Sequence, residues 1–264
     1  MKLRIYQVDA FTHNLFKGNP AAVIPLQNWL PDLVLQQIAL ENNLSETAFF
    51  VPAKDHFELR WFTPQTEVNL CGHATLATAH VLFTYLFPEL KEIHFSSKSG
   101  ILNVFRDQAI YFLDFPTSPI VSVQESNLTL IKRMFTNSVA VFEGNEDLMV
   151  VLPSEGDVHG YKPDFQHLAK LDYRGIIITA KGSETDFVSR FFGPRVGVNE
   201  DPVTGSAHTL LIPYWSAILK KNKMTARQLS IRGGELFCEH KRERVHIGGS
   251  AVTYLTGEIL IPGH

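Results

Sequence analysis

Apolar and polar positions alternate from the first residues of the chain, with Leu3 and Ile5 set against Lys2 and Arg4 in "MKLRIYQVDAF". A period of two predicts a strand. "PDLVLQQIAL", from Pro31, then predicts a helix, with a proline and an acid in its first turn, where both are favoured. "RWFTP", from Arg60, ends an alternating strand and breaks it at proline. From Cys71, "CGHATLATAHVL" becomes apolar nearly all round, through Ala74, Leu76, Ala77, Ala79, Val81 and Leu82. A helix without a polar face has to be buried, so strands are expected to wrap it.

The same succession then returns. "PDFQHLAKL" from Pro163 parallels the first helix, "RFFGP" from Arg190 parallels "RWFTP", and "TGSAHTLLIPYW" from Thr204 parallels the apolar helix. "LSIRGGELFCE" from Leu229 parallels "FSSKSGILNVF" from Phe95, each a strand, a glycine turn and a strand. The matches keep their order at an offset of about 130 positions, with the small drifts that loop insertions give. Gly72 then matches Gly205, and His73 matches Ser206. Two similar halves follow, expected to meet near "DFPTSP" at residues 114–119, where prolines and small polar residues interrupt the pattern. The division is taken as residues 1–117 and 118–264.

Composition removes several classes of function. A net charge of -3 with no polybasic block argues against nucleic acid or a membrane surface as partner. No apolar run reaches the length of a membrane span, and the first strand is not a signal peptide. Only Cys71 and Cys238 are present, which suits a reducing, cytoplasmic setting and no disulfide scaffold. No CxxC or HExxH pattern supports a zinc site, and no metal is expected. The mixed-sign cluster at residues 239–244 reads as a solvated hairpin turn.

Candidate chemistry gathers at the two apolar helix starts. A helix N-terminus leaves N–H groups unpaired and carries partial positive charge, and glycine there lets an anion approach the backbone. Gly72 with His73, and Gly205 with Ser206, would offer donors to a small carboxylate in a cleft between pseudo-symmetric halves. The plainer reading stands beside it: Ser206 caps its helix and Gly205 serves only the turn.

The motifs "GNPAAVIPL" at Gly18, "LSETAFF" at Leu44, "FTPQTEVNLCGHATLATAHVLF" at Phe62 and "EDPVTGSAH" at Glu200 resemble, in order and spacing, the PhzF (phenazine biosynthesis-like) family. That resemblance covers essentially the whole chain. It implies an α+β fold of the diaminopimelate-epimerase type: two pseudo-symmetric halves, each a strand barrel wrapped around a central apolar helix. It further implies a cofactor-independent homodimer acting on a small carboxylate by proton transfer. The family's named member isomerises trans-2,3-dihydro-3-hydroxyanthranilate.

Residue by residue, the family's acid/base glutamate falls on Glu46, its histidine on His73, its aspartate on Asp201 and its serine on Ser206, while Asn19 matches a position near the substrate. A carboxylate flanked by Ala48, Phe49, Phe50 and Val51 loses solvation, so Glu46 is expected to be tuned upward as a base. The helix dipole is expected to keep His73 a neutral donor or relay. Asp201 would orient His73 or bind a substrate amine or hydroxyl, or only start an Asp-Pro turn. His80 and His208 are assigned to structure, as repeat-related helix residues. Relatives of this fold that racemise amino acids use two facing thiols. Here Cys71 has no partner in "DPVTGS", and it reads as a small buried residue. An amino-acid racemase or epimerase, and a ligand-binding protein without catalysis, remain as alternatives.

Overall fold

The computed structural model describes residues 1–261. It divides into one unit of residues 1–114 joined by the chain from Gly248 onward, and a second unit, Phe115–Ile247. In the first unit the predicted opening strand is β1 (Lys2–Ala10), followed by β2 (Asn19–Pro25), α1 (Asp32–Asn42), β3 (Glu46–Pro52), β4 (Phe57–Phe62) and β5 (Glu67–Val68). The apolar stretch is α2 (Gly72–Val81), and β6 (Glu92–Ser97), β7 (Gly100–Asp107) and β8 (Ile110–Pro116) come after it.

The second unit contains β9 (Val121–Ser122), α3 (Glu125–Met134), β10 (Ala140–Glu143), β11 (Asp147–Val151), α4 (Glu155–Gly160), α5 (Phe165–Leu168), β12 (Gly175–Lys181) and β13 (Phe187–Gly193). There follow β14 (Val198–Asp201), α6 (His208–Leu219), β15 (Lys223–Gln228), β16 (Gly234–Lys241) and β17 (Arg244–Gly249). The last strand, β18 (Ala251–Leu260), lies in the first unit, antiparallel to β1 from Lys2↔Leu260 to Ala10↔Ala251.

Pairing repeats step for step. In the first unit β1–β2 is antiparallel, β2–β3 parallel, β3–β4 antiparallel, β4–β6 parallel and β6–β7 antiparallel. In the second unit β10–β11, β11–β12, β12–β13, β13–β15 and β15–β16 run through the same senses in the same order. Parallel neighbours need a crossover of a dozen residues or so. The two apolar helices are such crossovers: α2 joins β4 to β6, and α6 joins β13 to β15.

Burial follows from this placement. Every residue of α2 is buried, and the helix packs on β1, β2, β3 and β18. The strands between α2 and the outer helix are apolar on both sides. In β2, Ala22 and Ile24 join Leu35, Ile38 and Ala39 of α1 in one core cluster, while Ala21 and Val23 are also fully buried. Helix α6 is buried through His208, Leu210, Leu211, Ile212, Trp215 and Ser216, and its last turn is exposed at Ile218. Pro213 inside α6 cannot donate to Thr209 O, and Ser118 N donates to that carbonyl instead, at 3.1 Å. This α+β arrangement, strands wrapped about a central helix in each unit, is the expected fold.

Three expectations need correction. The second half was expected to run from 118 to 264, but the chain returns to the first unit at Gly248, because β1 provides the hydrogen-bonding edge that β18 fills. "PDFQHLAKL" forms only the single turn α5, where Asp164 is the cap and accepts from His167 N. Residues 205–208 begin with a tight i→i+3 turn, so α6 starts at His208, three residues past Gly205, whereas α2 starts at Gly72 itself.

Candidate active site

In the first unit, backbone geometry delivers three side chains to the start of α2. Gly18, at φ +65°, turns the chain into β2, and a Cβ there would lie 2.1 Å from Ala10 O. That turn places the buried Asn19 at the first position of β2. Glu46 opens β3 and pairs in register with Ala21 of β2. His73 is the second residue of α2, and Cys71 is its N-cap.

These groups meet around the imidazole. Asn19 Nδ2 lies 3.1 Å from His73 Nδ1, Cys71 Sγ lies 3.5 Å from Nδ1 and 3.9 Å from Nε2, and Glu46 Oε2 lies 3.0 Å from Nε2. Glu46 Oε2 is a buried atom and accepts no hydrogen bond, so the imidazole N–H is not aligned on it despite the short separation. The helix amide of Thr75 bonds to Cys71 O, so the Gly72 and His73 amides are among those that a helix start leaves without a helical carbonyl.

His73 was expected to stay neutral, and its neighbours raise it instead. Burial opposes the imidazolium, but Cys71 and Glu46 outweigh it and raise His73 well above its ordinary value. Burial, and then the Glu46 charge, push the Cys71 thiol up to about 11. The thiol is therefore neutral near pH 7, and Glu46 is the partner that favours imidazolium. A carboxylate 3.0 Å away is a larger local influence than the helix dipole.

The second unit gathers Asp201, Gly205 and Ser206 on a different scaffold. Thr204 Oγ1 donates to Asp201 Oδ2 at 2.5 Å, and Gln228 Nε2 donates to Asp201 O at 2.8 Å. Gln228 Oε1 accepts from Thr204 N, so one buried glutamine ties the loop on both sides. Gly205 is buried in the tight turn. Ser206 Oγ accepts from Arg174 Nη2 at 3.1 Å, and Arg174 is gripped by Asp147 through bonds of 2.9 and 2.5 Å. The neighbouring acid, Glu200, has a separate role: Arg190 donates to it twice, at 2.7 and 3.0 Å.

Sequence reasoning gave no role to Arg174, Asp147 or Gln228. Each lies among other polar residues at a strand end or in a mixed strand, with no pattern to mark it. For Arg60 and Arg190 a signal was present, the arginine that recurs in "RWFTP" and "RFFGP". Arg60 donates to Glu67 at 2.8 and 2.9 Å, as Arg190 does to Glu200. His80 and His208 are buried, and burial lowers each to about 4. They are not equivalent, since His208 stands opposite Thr75 when Gly205 is set on Gly72.

The pattern of the phenazine biosynthesis-like protein family, PhzC-PhzF, matches residues 8–257. An uncharacterized isomerase of Pseudomonas aeruginosa is 49% identical over 98% of this chain and 99% of its own length. An uncharacterized isomerase of Halalkalibacterium halodurans is 46% identical over 99% of this chain and 100% of its own. The solved structure of a PhzF-family phenazine biosynthesis protein from Enterococcus faecalis superposes with a TM-score of 0.92 at 46% identity, covering 99% and 100% of the two chains. A "probable proline racemase" from Agrobacterium radiobacter shares the fold alone, with a TM-score of 0.65 at 8% identity.

Proposed function

The chain belongs to the phenazine biosynthesis-like PhzC-PhzF family, in which relatives across its full length are isomerases, and we propose that it isomerises a small carboxylate by cofactor-independent proton transfer through Glu46. The observation that carries this reading is the Glu46–His73 contact at the start of α2. Glu46 takes a proton from carbon and becomes the neutral acid. The electron pair left behind moves through an adjacent double bond, and Glu46 returns its proton at the carbon where that pair arrives. His73, held as imidazolium beside it, stabilises the negative charge that passes between carboxylate and substrate. Asn19 stands 3.1 Å from the ring's Nδ1, and the Gly72 and His73 amides suit the substrate's carboxylate.

In the second unit, Ser206 and Gly205 are assigned to binding the same class of substrate, and Asp201 to a substrate amine or hydroxyl. Arg174 supports this by holding the Ser206 hydroxyl in place. Two free, buried cysteines suit a reducing cytoplasm. Family membership supports a homodimer, which sedimentation equilibrium tests.

Racemisation is the weaker reading. It needs acid/base groups on opposite sides of one carbon, whereas Glu46 and His73 touch each other. Two-thiol chemistry lacks its second member, since Cys238 lies within β16, not in the loop that matches Cys71.

The test is proton exchange in heavy water, followed by NMR, with trans-2,3-dihydro-3-hydroxyanthranilate and a panel of amino acids and cyclic carboxylates. Deuterium enters carbon with the wild-type protein and not with Glu46→Gln. Label that persists in the variant removes Glu46 from the role. Label at a single stereocentre without double-bond migration would identify a racemase.

A further inference from the structure

We propose that Gln228 and Thr204 are positioning residues for Asp201: they hold its carboxylate as a hydrogen-bond acceptor for an N–H beside the substrate's carboxylate, and keep it out of the proton path. The inference rests on the assignment of Asp201 to substrate binding. β15 pairs with β13 as far as Ser189↔Gln228, and β14 pairs with the same strand at Phe191↔Asp201. Gln228, the last residue of β15, is thereby brought beside the loop that leaves β14 at Asp201. Gln228 and Thr204 are buried, and Asp201 is half-buried.

Two backbone groups fix the direction of every hydrogen bond in this cluster. Asp201 O can only accept and Thr204 N can only donate, so the Gln228 amide has Nε2 on the carbonyl, at 2.8 Å, and Oε1 on the N–H, at 2.9 Å. Turning the amide over would break both bonds. Nε2 has a second hydrogen, and Thr204 Oγ1 lies 3.2 Å away to accept it. The Thr204 hydroxyl then has one proton to give, and it goes to Asp201 Oδ2 at 2.5 Å. A hydroxyl donated to a carboxylate favours its charged form, which accepts and does not donate. The loop backbone does not need this last bond. His208 Nδ1 donates to Thr204 O at 2.9 Å and Ser230 Oγ to Pro202 O at 2.8 Å, so with Gln228 these carbonyls and the Thr204 N–H are satisfied without the Thr204 hydroxyl. What the hydroxyl serves is the carboxylate. When Gly205 is set on Gly72, Thr204 stands at the position of Cys71, so in each unit the residue before the helix-start glycine touches a titratable side chain of the candidate site.

The test is calorimetric titration of the full-length protein with 2-aminobenzoate and with benzoate, which differ by one amine. The wild type is expected to bind 2-aminobenzoate about tenfold more tightly, the worth of one hydrogen bond to a charged group. Thr204→Val should bring the two affinities within about twofold of each other by weakening 2-aminobenzoate alone, and Gln228→Met should do the same. Thr204→Ser, which keeps the hydroxyl, should restore the preference. A merely structural role would weaken both probes alike and leave their ratio unchanged. Circular dichroism checks that the variants are folded, and the Thr204 pair decides the matter if Gln228→Met is not. A wild type that binds neither probe or both equally, a preference undiminished in folded Thr204→Val, or a Thr204→Ser that behaves as Thr204→Val would each overturn the proposal. It fails separately from the isomerase reading. Deuterium exchange that depends on Glu46, in protein without the amine preference, removes the role of Gln228 and Thr204 and leaves the isomerase. The preference with its expected residue dependence, in protein that exchanges no deuterium, does the reverse.

Discussion

Helices α2 and α6 close the same crossover in their respective units, yet their first turns hold different chemistry. At α2 a thiol, an imidazole and a carboxylate touch. At α6 the corresponding turn holds hydroxyls, an aspartate and an arginine that arrives from the strand side. What the two ends share is support of the backbone. Thr75 Oγ1 donates to Cys71 O at 2.5 Å, and His208 Nδ1 donates to Thr204 O at 2.9 Å, so unlike side chains at matched positions satisfy the matched carbonyl. Arg60 and Arg190 repeat too, each paired with a glutamate and lying over a phenylalanine of its own strand, Phe62 at 5.1 Å and Phe192 at 4.9 Å. The repeat has kept what satisfies buried polar groups, because an unpaired one costs about 1–3 kcal/mol. Side chains free of that duty have diverged.

The largest expected effect breaks the comparison at the first helix start. Glu46→Gln should lower proton exchange by about a thousandfold with little change in stability. Loss below tenfold, measured on the same substrate, would place the base elsewhere.

Acid sharpens the comparison, since each unit buries one neutral histidine. His80 and His208 fall from 6.5 to about 4 on folding, because burial disfavours their charged forms. Below pH 6.5 the unfolded chain binds protons that the folded chain does not. Stability therefore falls as pH drops from 6.5 to 4 and levels off below, by up to about 3 kcal/mol per histidine. Urea unfolding across that range should show the slope, and His80→Gln and His208→Gln should each flatten it. A flat wild-type profile would refute the burial effect.

The arginine clamps come next. Removing the Arg190 guanidinium leaves the largely buried Glu200 without its clamp, whereas Glu67 keeps Lys98 Nζ at 2.5 Å when Arg60 is removed. Arg190→Met should cost about 3 kcal/mol and Arg60→Met about 2. The order follows from the further partners: Arg190 also donates to the Val158 and Tyr161 carbonyls, while Arg60 also reaches the exposed Asp32, and Glu67 keeps a second cation in Lys98. Chemical denaturation of both variants tests the order, and its reversal would show that the carbonyl bonds contribute little.

The smallest effect lies at the second helix start. Ser206→Ala should raise KM about tenfold, the loss of one hydrogen bond to a charged group, and leave kcat nearly unchanged. Arg174→Lys should give a part of that rise, because lysine keeps the charge but loses the two-point grip on Asp147. A fall in kcat in place of a rise in KM would move Ser206 from binding into the proton path.

The sequence alone determined the duplicated pattern, the opening strand and the buried helix α2, and it was the family resemblance that singled out Glu46, His73, Asp201 and Ser206 as candidates. Local periodicity and turn chemistry reach that far, since they depend on neighbours along the chain. It did not determine where β18 pairs, because strand partnership joins residues as far apart as Lys2 and Leu260, which no local pattern encodes. Nor did it foresee that His73 is raised above its ordinary value against its burial, since the raising groups include a carboxylate brought from β3. Arg174 on Ser206 is of the same kind. Helix starts and strands are written in short stretches of sequence, while the electrostatics of a side chain belong to whichever distant residues the fold packs against it.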